Sequence, residues 1–182
     1  MNLNTEEAAG EQQLSGFGFG GHGTIAWKRL GLGLLYMEGS LSPSETGRDR
    51  DIVEGEAMLS VSATSWLRVA FGPHIRSLII PEGTERWLFW EGRIQAKANL
   101  GPPRLVSVFE FWQVLSANVD VDDPYDRGQG IEGALRWEVP SLPVPVWLEL
   151  GYRLDRSKLG NGSRTEVMEH FLISVGIDRG SL

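Results

Sequence analysis

Three histidines, a glycine run and an acidic loop are the groups in this chain whose types suit chemistry. His22, His74 and His170 are widely spaced, and none belongs to an HExxH-type metal pair. If the segment around His170 is a strand, His170 and Ser174 share a face but lie about 13 Å apart, at ~3.3 Å per residue. A serine nucleophile needs its base at about 3 Å, so this pair cannot act alone, and His74 and Ser77 point to opposite faces. Gly18, Gly20 and Gly23 have GxGxxG spacing. A dinucleotide turn requires a strand before that motif and a helix opening on it. Neither pattern is present. Phe17 and Phe19 alternating with glycine read instead as a strand pressed against its neighbours. Asp120, Asp122, Asp123 and Asp126 are spaced closely enough to gather around Ca²⁺ but lack the glycine and distal glutamate of an EF-hand loop. A solvated loop is the plainer reading, as a turn is for the glycosylation-like Asn161-Gly-Ser163. No catalytic constellation, metal site or cofactor is expected.

The more informative chemistry is ionic, and alternation positions it. Between Asp51 and Ala63, Val53, Gly55, Ala57, Leu59 and Val61 alternate with Ile52, Glu54, Glu56, Met58 and Ser60. The next run sets Leu67, Val69, Phe71, Ile75 and Ile79 against Arg68, His74 and Arg76; a third sets Leu88, Trp90, Ile94, Ala96 and Ala98 against Glu91, Arg93, Gln95 and Lys97. Alternation means strand, because successive side chains point to opposite faces. These runs are two to three times the usual strand length of about 5–6 residues. Long strands with one apolar face and one face bearing both signs of charge suit a barrel with lipid outside and a polar interior.

Composition is consistent with that reading. The 182 residues carry a net charge of −7, which argues against a nucleic-acid partner, and no Lys/Arg run offers a lipid anchor. Cysteine is absent, which removes disulfides, thiolate metal sites and cysteine nucleophiles together. No apolar run approaches the ~18 residues of a membrane-spanning helix, a requirement that barrels escape. The first ten residues have no basic and apolar signal-peptide pattern.

Turn residues punctuate the chain into nine expected strands: 14–27, 30–41, 51–63, 66–79, 85–100, 104–119, 128–139, 144–156 and 165–178. Short connections at Lys28-Arg29, Thr64-Ser65, Gly101–Pro103 and Pro140–Pro143 alternate with longer ones at Ser42–Arg50, Pro81–Thr84, Asp120–Arg127 and Arg156–Arg164. The expected fold is all-β, an antiparallel up-and-down transmembrane β-barrel over 14–178. Residues 1–13 are a loop remnant or disordered tail, and 179–182 a C-terminal tail. Nine is awkward, since single-chain bacterial barrels have even strand numbers. The expectation is a ten-stranded parent whose first strand and signal peptide are absent here, or otherwise eight strands. In 104–119 apolar residues fall on both parities, and a bulge there would reset the alternation.

By parity the interior holds Glu54, Glu56, Arg68, Arg76, Glu91, Arg93, Lys97, Glu110, Glu132, Arg136, Glu149 and Arg153. Their signs nearly balance, and buried charges need partners. The expected result is a lumen network that largely plugs the barrel. Trp27, Trp90 and Trp137 fall on the outer parity as membrane-interface aromatics, whereas Trp66 and Trp147 share the inner one.

On strand rhythm, aromatic placement and polar-inward alternation, residues 14–178 resemble the small bacterial outer-membrane β-barrels, the OmpA-like and OmpX-like superfamily. Val167–Ile177 looks like the closing strand of such barrels, although the chain ends in Asp178-Arg-Gly-Ser-Leu182 rather than on an aromatic residue. The resemblance implies a bacterial outer-membrane location, with outer-membrane lipid and the barrel assembly machinery as partners. It also implies a non-enzymatic structural, adhesive or minor small-solute transport role. Two other readings stand beside it. A soluble lipocalin-like barrel would bind an apolar ligand, with apolar residues inside and charges outside. An outer-membrane lipid-modifying enzyme would need a histidine near a serine and a carboxylate at one rim.

Overall fold

The computed structural model describes residues 1–7, 10–44, 48–80, 83–101, 104–121, 123–139 and 146–177. They form ten strands: β1 (Asn2–Glu7), β2 (Gly10–Trp27), β3 (Leu30–Pro43), β4 (Arg50–Ser62), β5 (Leu67–Ile80), β6 (Gly83–Asn99), β7 (Leu105–Val119), β8 (Tyr125–Val139), β9 (Val146–Leu159) and β10 (Arg164–Ile177). Each pairs antiparallel with its sequence neighbours, and β1 pairs with both β2 and β10, closing an up-and-down barrel. The lower end of the barrel is taken here as the one carrying the Lys28-Arg29 turn, and the upper end as the one carrying the 3₁₀ turn Gly160–Gly162. Lys28 has φ 55°, the left-handed conformation that two-residue hairpin turns require.

All nine expected strands are present, with ends moved by a few residues. The tenth comes from a segment read as loop or tail. Asn2–Glu7 is a strand whose Leu3 and Thr5 point inward and are buried. Two inward positions are too short a pattern to recognise in sequence. Topology supplies the rest: β2 and β10 run in the same direction, so only an oppositely directed strand can bridge them antiparallel. The expected contrast between short and long connections is largely lost. Tyr125–Arg127 and Arg156–Leu159, read as loop, are strand, because Tyr125 and Leu159 are held in the interior around Trp87 and Phe89. The connection at 140–145 and the tail at 178–182 lie outside the described residues.

The ambiguous strand contains the bulge its mixed parity required. Trp90 faces Ser116 while Glu91 faces Val114, so Leu115 is an extra residue in β7. Below it Glu110, Trp112 and Val114 point inward. Above it Ala117 and Val119 do, while Leu115 turns out.

Candidate functional site: the barrel interior

The inward residues sort into three levels along the axis. At the top the interior is mainly apolar, with Thr5, Ser157 and Glu166, the last ion-paired to Arg164, buried beside the apolar side chains. Leu3, Leu14, Leu41, Ile52, Leu78 and Met168 form one fully buried cluster, and Trp87, Phe89 and Leu159 another. This apolar stopper departs from the expected all-polar lumen. It arises because the inward parity changes character near the strand tops, from Glu54 to Ile52 on β4 and from Arg76 to Leu78 on β5.

The middle level is the charge network. Arg76 Nε donates to Glu54 at 2.5 Å, and its Nη2 lies 3.6 Å from Asp155. His74 Nδ1 is 2.8 Å from Glu91, with Nε2 3.7 Å from Glu54. Arg93 reaches Glu91 at 2.6 Å, Glu56 at 2.8 Å and Glu110 at 3.1 Å. Arg153 reaches Glu56 at 3.0 Å and Asp155 at 2.9 Å. Trp112 sits between the two arginines, 5.3 Å from Arg93 and 4.7 Å from Arg153, and donates its indole N–H to Asp155 at 3.0 Å. Its ring lies over Gly130, where a Cβ would be 2.2 Å from it. Glycine is therefore what lets β8 approach the indole.

The lower level is open. A cavity of about 620 Å³ is lined by Arg68, Gln95, Val108, Glu110, Glu132, Arg136, Glu149, Leu172 and Ser174, among others, and extends outward between β2 and β10. Arg136 pairs with Glu149 at 2.8 Å and lies 4.3 Å from the Trp147 ring. Arg68 and Glu132 face the cavity without an ion pair among the described residues. Lys97 lines a small recess at the lower rim, beside Thr64 and Trp66.

All twelve expected lumen charges thus face inward. Seven of them, Glu54, Glu56, Arg76, Glu91, Arg93, Glu110 and Arg153, join one network; of the other five, Arg68, Glu132, Arg136 and Glu149 line the cavity and Lys97 the lower recess. The sequence reading sets His74 and Gln95 on the charged faces but leaves them out of the lumen set, and it misses Asp155 and Trp112. His74 and Asp155 share parity with Arg76 and Arg153, so the signal was there. Trp112 was hidden by the mixed parity around the bulge.

Outside, polarity runs the other way. On β3 the outward residues from the lower end are Leu30, Leu32, Leu34 and Tyr36, then Glu38, Ser40 and Ser42. On β9 they are Leu148, Leu150, Tyr152 and Leu154, then Arg156 and Lys158. The apolar stretch measures about 20 Å along β3 at ~3.3 Å per residue. Trp27, Trp90 and Trp137 all face out, with Trp27 and Trp137 at the lower edge. Trp147 faces in, while Trp66 is exposed beside the lower recess. Tyr36 and Tyr152 donate to Glu38 and Glu169 at 2.8 and 2.7 Å, joining the apolar band to the polar rim.

The remaining motifs take structural places. His22 stacks on Trp147 at 5.6 Å, His74 is held by carboxylates, and His170 is buried. Among the described residues no histidine hydrogen-bonds to a serine side chain. In the glycine run, a Cβ on Gly16 would lie 1.8 Å from the Ser40 carbonyl oxygen, and one on Gly20 2.2 Å from that of Tyr36. These glycines let β2 coil tightly against β3. Asp126 accepts a bond from the Gly162 amide at 2.7 Å, bracing the upper turn, whereas Asp122 lies outside the described residues. Comparison with protein-family models, curated proteins and solved structures finds no match, so the chain is defined by its own geometry: a closed ten-stranded antiparallel barrel.

Proposed function

We propose that the chain is an integral β-barrel of a bacterial outer membrane, of the OmpA-like and OmpX-like kind, with a structural or adhesive role and a lumen closed to through-passage. The single observation that supports this best is the coupled inversion of polarity. Where the outside is apolar the inside is charged or hollow; where the outside turns polar the inside turns mainly apolar, around one Arg164–Glu166 pair. A band in lipid and an upper part in water each require that arrangement. The stopper and the charge network fill the upper and middle lumen, so the cavity below is a blind pocket. Its size falls within the ~300–1,000 Å³ range of small-molecule sites, which leaves it a minor role in holding a polar solute. Outer-membrane lipid and the assembly machinery are the partners this reading calls for.

A soluble ligand-binding barrel would need the opposite faces in its lower half, and a lipid-modifying enzyme would need a histidine–serine pair. Neither feature is found among the described residues. The test is refolding into detergent micelles and electrophoresis with and without boiling, followed by planar-bilayer recording. A fold that resists SDS until boiled, with no steady conductance, is expected. A protein that is soluble and β-rich without detergent and shows no mobility shift would sink the proposal.

A further inference from the structure

The barrel wall has a strand-wide slot. β1 pairs with β2 only as far as Ser15 and with β10 only as far as Glu169. Below the level of Met1, Phe17–Trp27 of β2 and His170–Ile177 of β10 have no ladder partner on the edges that face each other, and the cavity opens between them. By antiparallel alternation the main-chain groups of Gly18, Gly20 and His22 on one side, and of Phe171, Ile173 and Val175 on the other, point into this slot. Their side-chain surroundings are apolar on the outside: Phe17, Phe19, Phe171 and Ile173 are among the most exposed residues of the chain. If this level lies in lipid, each unpaired group costs several kcal/mol. An acyl chain covers such groups without bonding them; a strand bonds them.

The position and direction of a strand that would fill the slot are set. Met1 makes both bonds of a regular antiparallel pair with Gly16: the Gly16 amide donates to the Met1 carbonyl at 2.9 Å, and the Met1 nitrogen donates to the Gly16 carbonyl at 3.0 Å. That nitrogen stands at the top of the slot. Counting from this pair, eleven positions (27 − 16) reach Trp27 on β2 and seven (177 − 170) reach Ile177 on β10. The first position lies between Phe17 and Phe171 and faces out, as do the third and fifth. The second and fourth face the cavity between Gly18 and Leu172 and between Gly20 and Ser174. The sixth faces in between His22 and Gly176. There the Trp147 ring already covers Gly176, where a Cβ would meet it at 2.1 Å, and stacks on His22.

We propose that the slot is a binding site for an extended amphipathic strand joined directly to the Met1 nitrogen. The strand is apolar at odd positions counted back from Met1, small or polar at even ones, and small at the sixth. It completes the barrel as the lower half of β1. The proposal rests on the closed barrel and on the membrane reading only for the size of its effect.

The test uses the full chain with eleven residues added before Met1, with valine or leucine at odd positions and serine or glycine at even ones. A second chain carries the same residues shifted by one position, which turns every side chain to the wrong face. A third arm supplies the in-phase strand as a free peptide. The in-phase fusion is expected to raise the unfolding midpoint in micelles by about 10 °C or more. It should also slow amide hydrogen exchange at Gly18, Gly20, Phe171 and Ile173, with little change in the shifted fusion. Equal effects of the two fusions, or none, would overturn the proposal. Equal protection by the free peptide would overturn the requirement for linkage to Met1. If neither fusion folds, exchange in the parent chain decides: slow amides along both slot edges would refute an open slot. Heat-modifiability of the parent chain reports on the membrane reading separately, so the two can fail independently.

Discussion

Replacing Arg76 with leucine removes the closest partner of Glu54, a carboxylate with no solvent exposure. What remains beside Glu54 is the His74 imidazole, 3.7 Å away. Stranding a buried charge by deleting its partner costs roughly 3–5 kcal/mol, and the surviving imidazole places this case near the lower end, at about 3 kcal/mol. For a chain of this size each kcal/mol moves the midpoint by ~2–4 °C, so Arg76→Leu should lower it by about 6–12 °C. Asp155 is not stranded, because Arg153 and Trp112 still hold it at 2.9 and 3.0 Å. Replacing Glu54 with leucine as well removes both charges, and the double variant should return to within about 1 kcal/mol of the parent. The assay is urea and thermal unfolding in micelles for the parent, both single variants and the double, followed by tryptophan fluorescence and by mobility before and after boiling. A loss below about 1 kcal/mol for Arg76→Leu would refute the reasoning. So would a double variant as unstable as the sum of the singles.

Further outcomes test other parts of the structure. Gly16→Ala should destabilise by more than about 2 kcal/mol, since its Cβ would collide with the Ser40 carbonyl, whereas Gly21→Ala, with open space around it, should stay within about 0.5 kcal/mol in the same unfolding assay. Leu150→Arg on the outward face should cost about 2–4 kcal/mol when folding is measured in lipid vesicles; a soluble barrel would tolerate it. Trp112→Phe keeps a ring between Arg93 and Arg153 but loses the bond to Asp155, for about 1–3 kcal/mol by urea midpoint, and Trp112→Ala should lose about 3–5.

The strands were legible because a barrel wall exposes every residue to one of two contrasting media, so Val53–Glu54 and Ile75–Arg76 could hardly be misread. Which face points inward did not follow from alternation, since a soluble barrel with its charges outside has the same period. Nor did the pairings. Arg153 and Glu56 are 97 positions apart and meet across the lumen, a distance that alternation carries no information about. The apolar stopper was missed for a related reason. Leu41, Ile52 and Leu78 break the polar-inward pattern, and nothing local says that their height along the axis is where the outer surface turns polar. β1 was missed because Leu3 and Thr5 offer only two inward positions, and its strand character comes from edges supplied by β2 and β10.

The polar upper rim has a mechanical consequence. On β3 the strand continues for seven residues beyond Tyr36, to Pro43. At ~3.4 Å per residue and a tilt of about 35–45°, this lifts the upper rim roughly 15–20 Å above the tyrosine level. Because that raised section has its own packed apolar centre, it is a stiff pedestal rather than a fringe of loops. In a membrane, vertical drift would be resisted both ways: rising would bare Leu30–Leu34 to water, and sinking would bury Glu38, Arg156 and Lys158 in hydrocarbon. In a membrane, a macromolecule arriving from above would meet a rigid platform held at a fixed height before it reached the lipid.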